Sequence, residues 1–445
     1  MPDHAHSDSP AVQAQLDRLA AVSPGRDTLG LDRITALLER LGNPQHRLPP
    51  VFHVAGTNGK GSTCAFLRAM LEAAGYRVHA YASPHLVRFN ERIRLAGTLI
   101  ADDDLADALA RVLNVADGLD ASFFEVTTAA AFLRFAEVPA EVCVIEVGLG
   151  GRLDATNVIE RPLVCGIASL GIDHKEFLLA PEAGTPDDPL ARIAFEKAGI
   201  AKRGVPLVTM DYAPHMTASI AAVADRVGAD VRARGRHWTS SAIGRGFAYA
   251  DRTGKLYCDP PALLGAHQQG NAALAVAMLR HQPLLPVSEA AINRGIAAAR
   301  WPARMQRLGP GPLTELLGPR ATIWLDGGHN PDAGEALAAA LPDDARVHVI
   351  CGMLANKDAL GFLRPLASRM KWFHAVPIAG HAHHDPKDLC WWVQDSLGVI
   401  WLDPCDTVAE ALGKIAASEP NATVLMCGSL YLAGEVLKAN GELPT

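Results

Sequence analysis

The chain has 445 residues, of which 49% are hydrophobic and 20% charged, a composition typical of globular proteins that excludes a fibrous or disordered chain. One hydrophobic core rarely organises so many residues, so we expect two domains. The formal net charge of -7, without a dense Lys/Arg run, excludes nucleic acid as the main partner.

The cysteine pattern and the N-terminus both favour a cytoplasmic protein. Eight cysteines are scattered singly with no CxxC pair, and several lie in apolar runs, as expected of buried thiols in a reducing compartment. The sequence "MPDHAHSDSPAVQAQ" lacks the pattern of a signal peptide, and no apolar run approaches the roughly 18 residues that span a bilayer. We therefore expect no membrane contact.

The first predicted elements alternate between helix and strand. An amphipathic helix is predicted for "LDRITALLERLG" at 31–42, and a buried strand for "PVFHVAG". A turn over Gly56–Gly61 then leads into a helix over Ser62–Ala74, and "RVHAYAS" is the next predicted strand. This order is typical of an α/β fold.

The middle of the chain predicts a mainly parallel sheet with an antiparallel annex. "AEVCVIEVG" at 140–148 and "LVCGIASLG" at 163–171 are short Val/Ile-rich runs that end in glycine, as in strands covered on both faces. One more strand and helix follow within 205–264. There "GFAYADRTGKLYCD" alternates on both sides of a turn, which predicts a hairpin.

A domain boundary is predicted near residue 300, in the Pro-, Gly- and Arg-rich segment "AARWPARMQRLGPGP". Beyond it the strands "ATIWLD", "RVHVICG", "KWFHAVPI" and "TVLMCGS" alternate with helical segments. We predict an α/β protein with a P-loop ATPase-type domain over 1–300 and a smaller Rossmann-like α/β domain over 301–445.

The stretch "GTNGKGS" predicts a phosphate-binding loop. Glycines let backbone N–H groups approach an anion, the helix N-terminus adds positive potential, and Lys60 adds a mobile charge. The hydroxyl of Ser62 stands one position later than in the strict Walker pattern, and an incidental glycine-rich turn is the alternative. The predicted nucleotide contacts are Gly56, Thr57, Asn58, Gly59, Lys60, Gly61 and Ser62.

Three polar residues stand at the ends of the next predicted strands, namely Ser83, Glu146 and His174. Ligands of an open α/β sheet bind outside the carboxyl ends of its strands, so these side chains are predicted to converge on the phosphate loop. A hydroxyl, a carboxylate and an imidazole form a plausible divalent-cation set. Taken singly, each residue has an alternative role as a turn cap, an ion-pair partner or a surface histidine.

The second domain offers a weaker constellation. In "WLDGGHNPDAGEAL" a strand ends at Asp326, and a loop with His329 and Asn330 precedes a helix that begins with proline. A helix cap, Asn330 or Asp332, is the alternative interpretation. "CGSLYLAGEV" is a similar candidate, and "HAHHD" at 381–385 is predicted to be an exposed loop rather than a metal site.

With these motifs in order, the chain resembles the bifunctional dihydrofolate synthase/folylpolyglutamate synthase type of the Mur ligase superfamily. The resemblance runs through "GLDRITALLERLGNPQ", "HVAGTNGKGST", "ASPHLVRFNERIR", "FFEVTTAAAF", "VIEVGLGGRLDATNV", "LGIDH", "FEKAGIAK", "HQQGNAALA", "WPARMQRL", "DGGHNPDA" and "CGSLYLAGEVL". In that family the displaced serine of the phosphate loop is the normal form.

The resemblance implies a role for each candidate residue. Lys60 and the loop would hold ATP, and two Mg²⁺ sites would use Ser83, Glu146, His174 and a carbamylated Lys197. The remaining implied contacts are Asn271 with the base, Arg304, Asp326 and His329 with ATP from the second domain, and Phe124 and Asp154 with the pterin. Lys60, His174 and Lys197 would be the catalytic set.

The implied reaction transfers the γ-phosphoryl group of ATP to a carboxylate, and the amine of L-glutamate then attacks the acyl phosphate. The implied acceptors are 7,8-dihydropteroate and tetrahydrofolate species, and the implied state is a cytoplasmic monomer. A dihydrofolate synthase or folylpolyglutamate synthase alone remains an alternative. So do a Mur-type peptidoglycan ligase, although only 55 residues precede Gly56, and a nucleotide-switched binding protein.

Two departures from the family pattern stand out. The segment "KEFLLAPEAGTPDDPLARIA" at 175–194 is longer than the usual connection before "FEKAGI", and its centre predicts an exposed loop. Ala303 stands in "WPARM" where the family has glycine. Neither change removes a predicted site residue.

Overall fold

The computed structural model describes residues 5–23, 29–342 and 345–445, and these fall into two compact units. The first unit extends to Ala262 and includes Gln268–Arg300 and Thr445. The second comprises Leu263–His267 and Trp301–Pro444.

Within the described residues of the first unit, eight strands form one sheet. They are β1 (Val51–Ala55), β2 (Val78–Tyr81), β3 (Ile93–Leu95), β4 (Thr98–Leu99), β5 (Val142–Glu146), β6 (Val164–Ile167), β7 (Pro206–Thr209) and β8 (Asp230–Ala233). Their order is β4-β3-β2-β5-β1-β6-β7-β8, parallel from β2 to β8, with β3 and β4 antiparallel at one edge. The predicted mainly parallel sheet is confirmed.

Helices cover both faces of this sheet. They are α1 (Pro10–Val22), α2 (Asp32–Arg40), α3 (Lys60–Ala73), α4 (Asp102–Val115), α5 (Phe123–Glu137), α6 (Lys175–Leu178), α7 (Pro189–Ala198), α8 (Pro214–Val227), α9 (Ala266–Arg280) and α10 (Glu289–Ala298). Cys143 and Ile145 of β5 pack into a core with α1, α2, α4 and α5. Cys165 and Ile167 of β6 pack with α7 and α8. Because side chains alternate along a strand, these residues share one face of the sheet, and on the other face a Cβ on Gly166 of β6 would meet Met278 of α9.

The antiparallel annex is a separate sheet of three strands, β9 (Trp238–Ile243), β10 (Gly246–Asp251) and β11 (Gly254–Cys258). The predicted hairpin corresponds to β10 and β11. Most of β9 is polar and solvent-facing, so its sequence lacks the apolar alternation that would have revealed it. A bidentate contact from Arg280 of α9 to Asp251, at 2.8 and 2.9 Å, ties this sheet to the helix.

The second unit contains a six-stranded sheet among its described residues. Its strands are β12 (Gln306–Arg307), β13 (Thr322–Leu325), β14 (Val347–Cys351), β15 (Met370–Ala375), β16 (Leu402–Pro404) and β17 (Thr423–Cys427), ordered β12-β13-β17-β14-β15-β16. Only β12 is antiparallel. Its helices are α11 (Pro331–Ala340), α12 (Ala359–Leu363), α13 (Pro386–Leu397), α14 (Val408–Ser418) and α15 (Leu430–Asn440). The predicted second α/β fold is confirmed.

Some boundaries differ from the sequence predictions. Helix α3 begins at Lys60 rather than Ser62, and α2 covers Asp32–Arg40 within the predicted 31–42. Helix α1 was not predicted, because its buried face consists of only Val12, Leu16 and Leu19 within a polar segment.

All eight cysteines are free and buried. None of the helices in the described ranges is both long and apolar enough to cross a bilayer.

Candidate active site

The loop between β1 and α3 is held in place by backbone contacts with the segment that follows β6. The Thr57 N–H donates to the carbonyl of Ser169 at 2.7 Å. The Thr57 hydroxyl donates to the carbonyl of Gly171 at 2.8 Å and accepts from its N–H at 3.1 Å. The glycine-rich loop is therefore fixed without using the N–H groups of the helix that follows.

The N-terminus of α3 is open to an anion. Gly59 precedes the helix with φ +82°, and a Cβ there would lie 2.4 Å from Asn271 Oδ1, so only glycine is accommodated. Within the described residues, no side chain caps this end of α3. Lys60 opens the helix and donates from Nζ to the Thr57 carbonyl at 3.3 Å. Unpaired helix N–H groups beside an ammonium form an anion site.

Ser83 lies two residues after β2, Glu146 is the last residue of β5, and His174 lies seven residues after β6. Strand β5 lies between β2 and β1, and β6 is the next neighbour of β1. Tyr81 is paired with Ile145, and Val54 with Glu146, so these ends are level. Glu146 and Lys60 are also the two charges that act on the buried Cys64 thiol of α3. Glu146 therefore lies near the phosphate loop.

Lys197, on α7, is buried among charged groups. It is 4% exposed. Burial and the charge of Lys60 together lower the pKa of its amine to about 7, although Asp173, Asp154 and Glu196 partly offset the shift. The site thus disfavours the ammonium form, which cannot bind a metal cation.

Asp154 is the centre of a buried hydrogen-bond network. Its Oδ2 accepts from the Leu149 N–H at 2.8 Å, and its Oδ1 accepts from both the N–H and the hydroxyl of Thr156. Burial raises the pKa of this carboxyl, whereas these hydrogen bonds and the charge of Lys60 oppose the rise. Asp154, Lys197 and Lys60 thus lie within electrostatic reach of one another.

His53 of β1 extends this network and was not predicted as a site residue. Its Nε2 lies 2.8 Å from the Thr156 hydroxyl, which itself donates to Asp154. Nε2 is therefore the donor to the hydroxyl. Burial, with the charge of Lys202, lowers the pKa of His53 to about 3, so the ring is neutral at physiological pH. The histidine stands in the quoted motif "HVAGTNGKGST", but only the fold brings it to Thr156.

Phe124, on α5, lies against the loop that leads to Asp154. A Cβ on Gly148 would come within 2.4 Å of the Phe124 Cζ, so the glycine lets the ring approach the backbone. The ring is 6.0 Å from that of Tyr81. A half-buried aromatic face and a buried carboxyl are thus available on neighbouring segments.

The predicted residues of the second unit also form a cluster. Asp326 accepts from the N–H groups of Met305 and Gly328 at 2.8 and 2.7 Å. His329 Nδ1 is 2.9 Å from the Gly327 carbonyl, and a Cβ on Gly327 would be 3.0 Å from Arg304 Nη1.

The backbone of this cluster is strained at Ala303, where the resemblance predicts glycine. Ala303 takes φ +53°, a conformation that favours glycine. Its carbonyl nevertheless accepts from Arg304 Nη1 at 2.8 Å. The substitution therefore leaves Arg304 attached to its own loop.

The histidines of the other metal candidate, "HAHHD" at 381–385, take part in hydrogen bonds within the protein. In "HAHHD" the three histidines are half-buried rather than exposed. His383 Nδ1 is 2.7 Å from the His381 carbonyl, and His384 Nε2 is 2.9 Å from the Lys357 carbonyl. Across the described part of the chain, no three or more His, Cys, Asp or Glu side chains are grouped to hold a metal ion. The proposed metal-binding set of Ser83, Glu146, His174 and Lys197 contains one glutamate and one histidine, which is fewer than three residues of these types.

Comparisons with known proteins show the family of the chain. The family profile described as "Mur ligase, glutamate ligase domain" matches residues 304–430. The dihydrofolate synthase/folylpolyglutamate synthase of Escherichia coli K12 is 35% identical over 92% of this chain and 91% of its own length.

Two solved structures are similar throughout. FolC of Escherichia coli in complex with DHPP and ADP has a TM-score of 0.83 and 34% identity, with 97% of each chain covered. The bifunctional enzyme from Yersinia pestis complexed with AMPPNP and Mn ion has a TM-score of 0.83 and 31% identity, and the match covers 97% of this chain and 98% of that one. The chain therefore belongs to the dihydrofolate synthase/folylpolyglutamate synthase family.

Proposed function

We propose that this protein is an ATP-dependent ligase that forms an amide between L-glutamate and a pterin-bearing acid. Its acceptors are 7,8-dihydropteroate, which yields dihydrofolate, and tetrahydrofolate species, which are extended by glutamate. One observation carries the proposal: the open, lysine-bearing N-terminus of α3 is within electrostatic reach of buried Asp154 and Lys197. A phosphate site and an acceptor site therefore adjoin.

Nucleotide binding is assigned to the loop between β1 and α3. The backbone N–H groups of residues 56–62 and the Lys60 ammonium receive the phosphates of ATP. Asn271 contacts the base, because it lies against the loop at Gly59. In the second unit, Arg304, Asp326 and His329 contact the nucleotide.

Divalent metal is assigned to Ser83, Glu146, His174 and Lys197, and Mg²⁺ at two sites is the proposed ion. When bound, the metal supplies positive charge that offsets the charge of the phosphate oxygens. The hydroxyl, carboxylate and imidazole, which lie at or beyond the carboxyl ends of β2, β5 and β6, are suitable donors, whereas a lysine is not. We propose that Lys197 reacts with CO₂, releasing a proton and becoming a carbamate, because its buried position disfavours a cation.

Acceptor binding is assigned to Phe124 and Asp154. The half-buried ring offers a face for a flat heterocycle, and the carboxyl offers a hydrogen-bond partner for its ring nitrogens. The neutral His53 keeps Thr156 directed at Asp154.

The reaction then proceeds in two steps. The acceptor carboxylate attacks the γ-phosphorus and ADP leaves. The carboxylate, whose oxygen is a poor leaving group, thereby becomes an acyl phosphate with phosphate as its leaving group. The glutamate amine attacks the carbonyl carbon, loses a proton and expels inorganic phosphate. Lys60 offsets charge on the transferring phosphoryl group, and fixed positions for both reactants replace a chance encounter.

The remaining assignments concern organisation. We propose that residues 1–300 form the ATP-binding domain and residues 301–445 the glutamate-ligase domain. The proposed state is a cytoplasmic monomer. Eight free, buried cysteines support the reducing compartment. Light scattering of the purified protein tests the oligomeric state.

The test of function is ADP release by purified protein with ATP, Mg²⁺ and L-glutamate, with dihydropteroate, with tetrahydrofolate or without acceptor, and with products identified by mass. Glutamate-dependent release with both acceptors is the expected result. Activity with one acceptor restricts the assignment to that step. Slow hydrolysis that neither acceptor changes would overturn it and favour a nucleotide-switched binding protein, and activity with a UDP-linked acceptor would favour a Mur-type ligase.

A further inference from the structure

The inserted segment 175–194 is fastened to the active-site loop rather than projecting freely from the surface. Its short helix α6 buries Leu178, and a Cβ on Gly150 would be 2.9 Å from Leu178 Cδ2. Four residues later, Glu182 reaches two arginines from different elements. The predicted exposed loop is therefore anchored at two points.

Glu182 completes a closed ring of four charged side chains. Its Oε2 accepts from Arg152 Nη2 at 2.5 Å and from Arg192 Nη2 at 3.0 Å. Glu196 faces the same two guanidinium groups, at 2.9 Å from Arg152 and 3.2 Å from Arg192. Two guanidinium groups are thus balanced by two carboxylates. Arg192 and Glu196 are nearly inaccessible, at 6% and 4% exposure, whereas Glu182 closes the ring from the solvent side at 44%.

The two arginines belong to the two elements that carry proposed active-site residues. Arg152 lies in the loop that leads to Asp154, and Arg192 lies on α7 five residues before Lys197. The Arg152 N–H also donates to the Glu196 carbonyl at 2.8 Å. A Cβ on Gly151 would be 2.9 Å from the same carbonyl oxygen, so loop and helix touch along a continuous seam.

We propose that Glu182 is a positioning residue that locks this seam and so sets the distance between Asp154 and Lys197. This inference rests on the proposed function for the roles of those two residues. By accepting from both guanidinium groups at one oxygen, Glu182 resists the separation of loop and helix. It touches neither acceptor nor nucleotide.

The test compares Glu182→Ala and Glu182→Gln with a control, Asp187→Ala. Asp187 is an exposed acid on the same insertion. The Ala variant is expected to raise the KM for dihydropteroate about fivefold, the effect of one partly exposed ion pair. The KM for ATP is expected to change less than about twofold, because the loop before α3 is held by its own contacts. Gln keeps the acceptor oxygen without the charge and should fall between wild type and Ala.

A second measurement does not depend on activity. Amide hydrogen exchange over residues 148–158 should become faster in Glu182→Ala and remain unchanged in Asp187→Ala. The proposal is overturned if exchange there is unchanged, or if both KM values rise together with a loss of thermal stability, which indicates a general structural role. If amide exchange accelerates in Glu182→Ala but the protein ligates no pterin acid, the proposed function fails, whereas the positioning role of Glu182 is retained.

Discussion

Two loops of this protein share one architecture and differ at the helix they introduce. The loop after β1 and the loop after β13 both leave the carboxyl end of a parallel strand and enter a helix. In the first, Gly59 precedes α3 and no described side chain caps it. In the second, the Asn330 side chain accepts from the Ala333 N–H at 3.0 Å and closes the start of α11.

The difference concerns the free N–H groups at the start of each helix. A capped N-terminus has satisfied one of its own free N–H groups, whereas an uncapped one presents all of them to a ligand. Glycine at the entry and lysine at the first helical position suit the α3 end to the phosphate binding that we propose. Asparagine at the equivalent place caps the start of α11 and gives it a structural role. The polar side chains beside it belong to Asp326 and His329.

Removing the charge from the open end should have the largest effect. Lys60→Ala should lower kcat about 100- to 1000-fold, the scale for deleting one group that stabilises transition-state charge. Lys255→Ala, an exposed lysine on β11, is the matched control and should leave steady-state kinetics unchanged. Wild-type kcat in the Lys60 variant would remove this residue from the mechanism.

Replacing the buried Lys197 should change stability and activity in opposite directions. Because the pKa of Lys197 is about 7 when folded and 10.5 in the reference state, the unfolded chain holds the extra proton between these values. Burial of the Lys197 ammonium therefore lowers the free energy of unfolding by its full amount below about pH 7. This loss becomes smaller as the pH rises toward 10.5.

Lys197→Met should therefore be more stable than wild type at pH 6, by at least about 1 kcal/mol, and the gap should narrow at pH 9. Its ligase activity should fall about 100-fold or more, since the proposed metal ligand is lost. Denaturant unfolding in metal-free buffer purged of CO₂ measures the first effect. A gap that widens with pH would contradict the burial argument.

The glycine at the open end can be tested against a glycine of like backbone conformation. Gly59→Ala meets both a left-handed φ and Asn271 Oδ1, whereas Gly75→Ala, at φ +93°, meets no atom within 4 Å. Both should lose about 1 kcal/mol of stability. Only Gly59→Ala should also lower kcat/KM for ATP, by about tenfold, because Asn271 must move. Equal kinetics for the two variants would show that the Asn271 contact is unimportant.

The smallest effect is expected at the closed end. Asn330→Ala should cost about 1 kcal/mol of unfolding free energy through loss of the cap, and Asn330→Asp should retain most of it. Thermal unfolding of both variants provides the measurement. Equal loss in the two would mean that the cap does not account for the role of this side chain.

Much of this contrast was readable from the sequence, because turn glycines and strand ends are local signals. The phosphate loop, the strands around it and the positions of Ser83, Glu146 and His174 follow from apolar runs punctuated by glycine. The choice of Asn330 over Asp332 as the cap of α11 did not follow, since either residue type stands at a suitable position and only the backbone decides.

The residues that the sequence could not reveal act over long separations. The hydrogen bond from His53 to Thr156 joins residues 103 positions apart, and the ion pair of Glu182 with Arg152 joins residues 30 apart. A strand histidine and a loop glutamate carry no local signature of such partners. Likewise, the pKa of Lys197 depends on burial and on charges from several elements.

The central claim is that the acceptor carboxylate is activated by phosphorylation before glutamate attacks. The most direct measurement uses dihydropteroate whose carboxylate carries two ¹⁸O atoms, with ATP, Mg²⁺ and L-glutamate, and determines the mass of the released inorganic phosphate. The account predicts one ¹⁸O in each phosphate and one retained in the new amide. Unlabelled phosphate alongside amide product would contradict it.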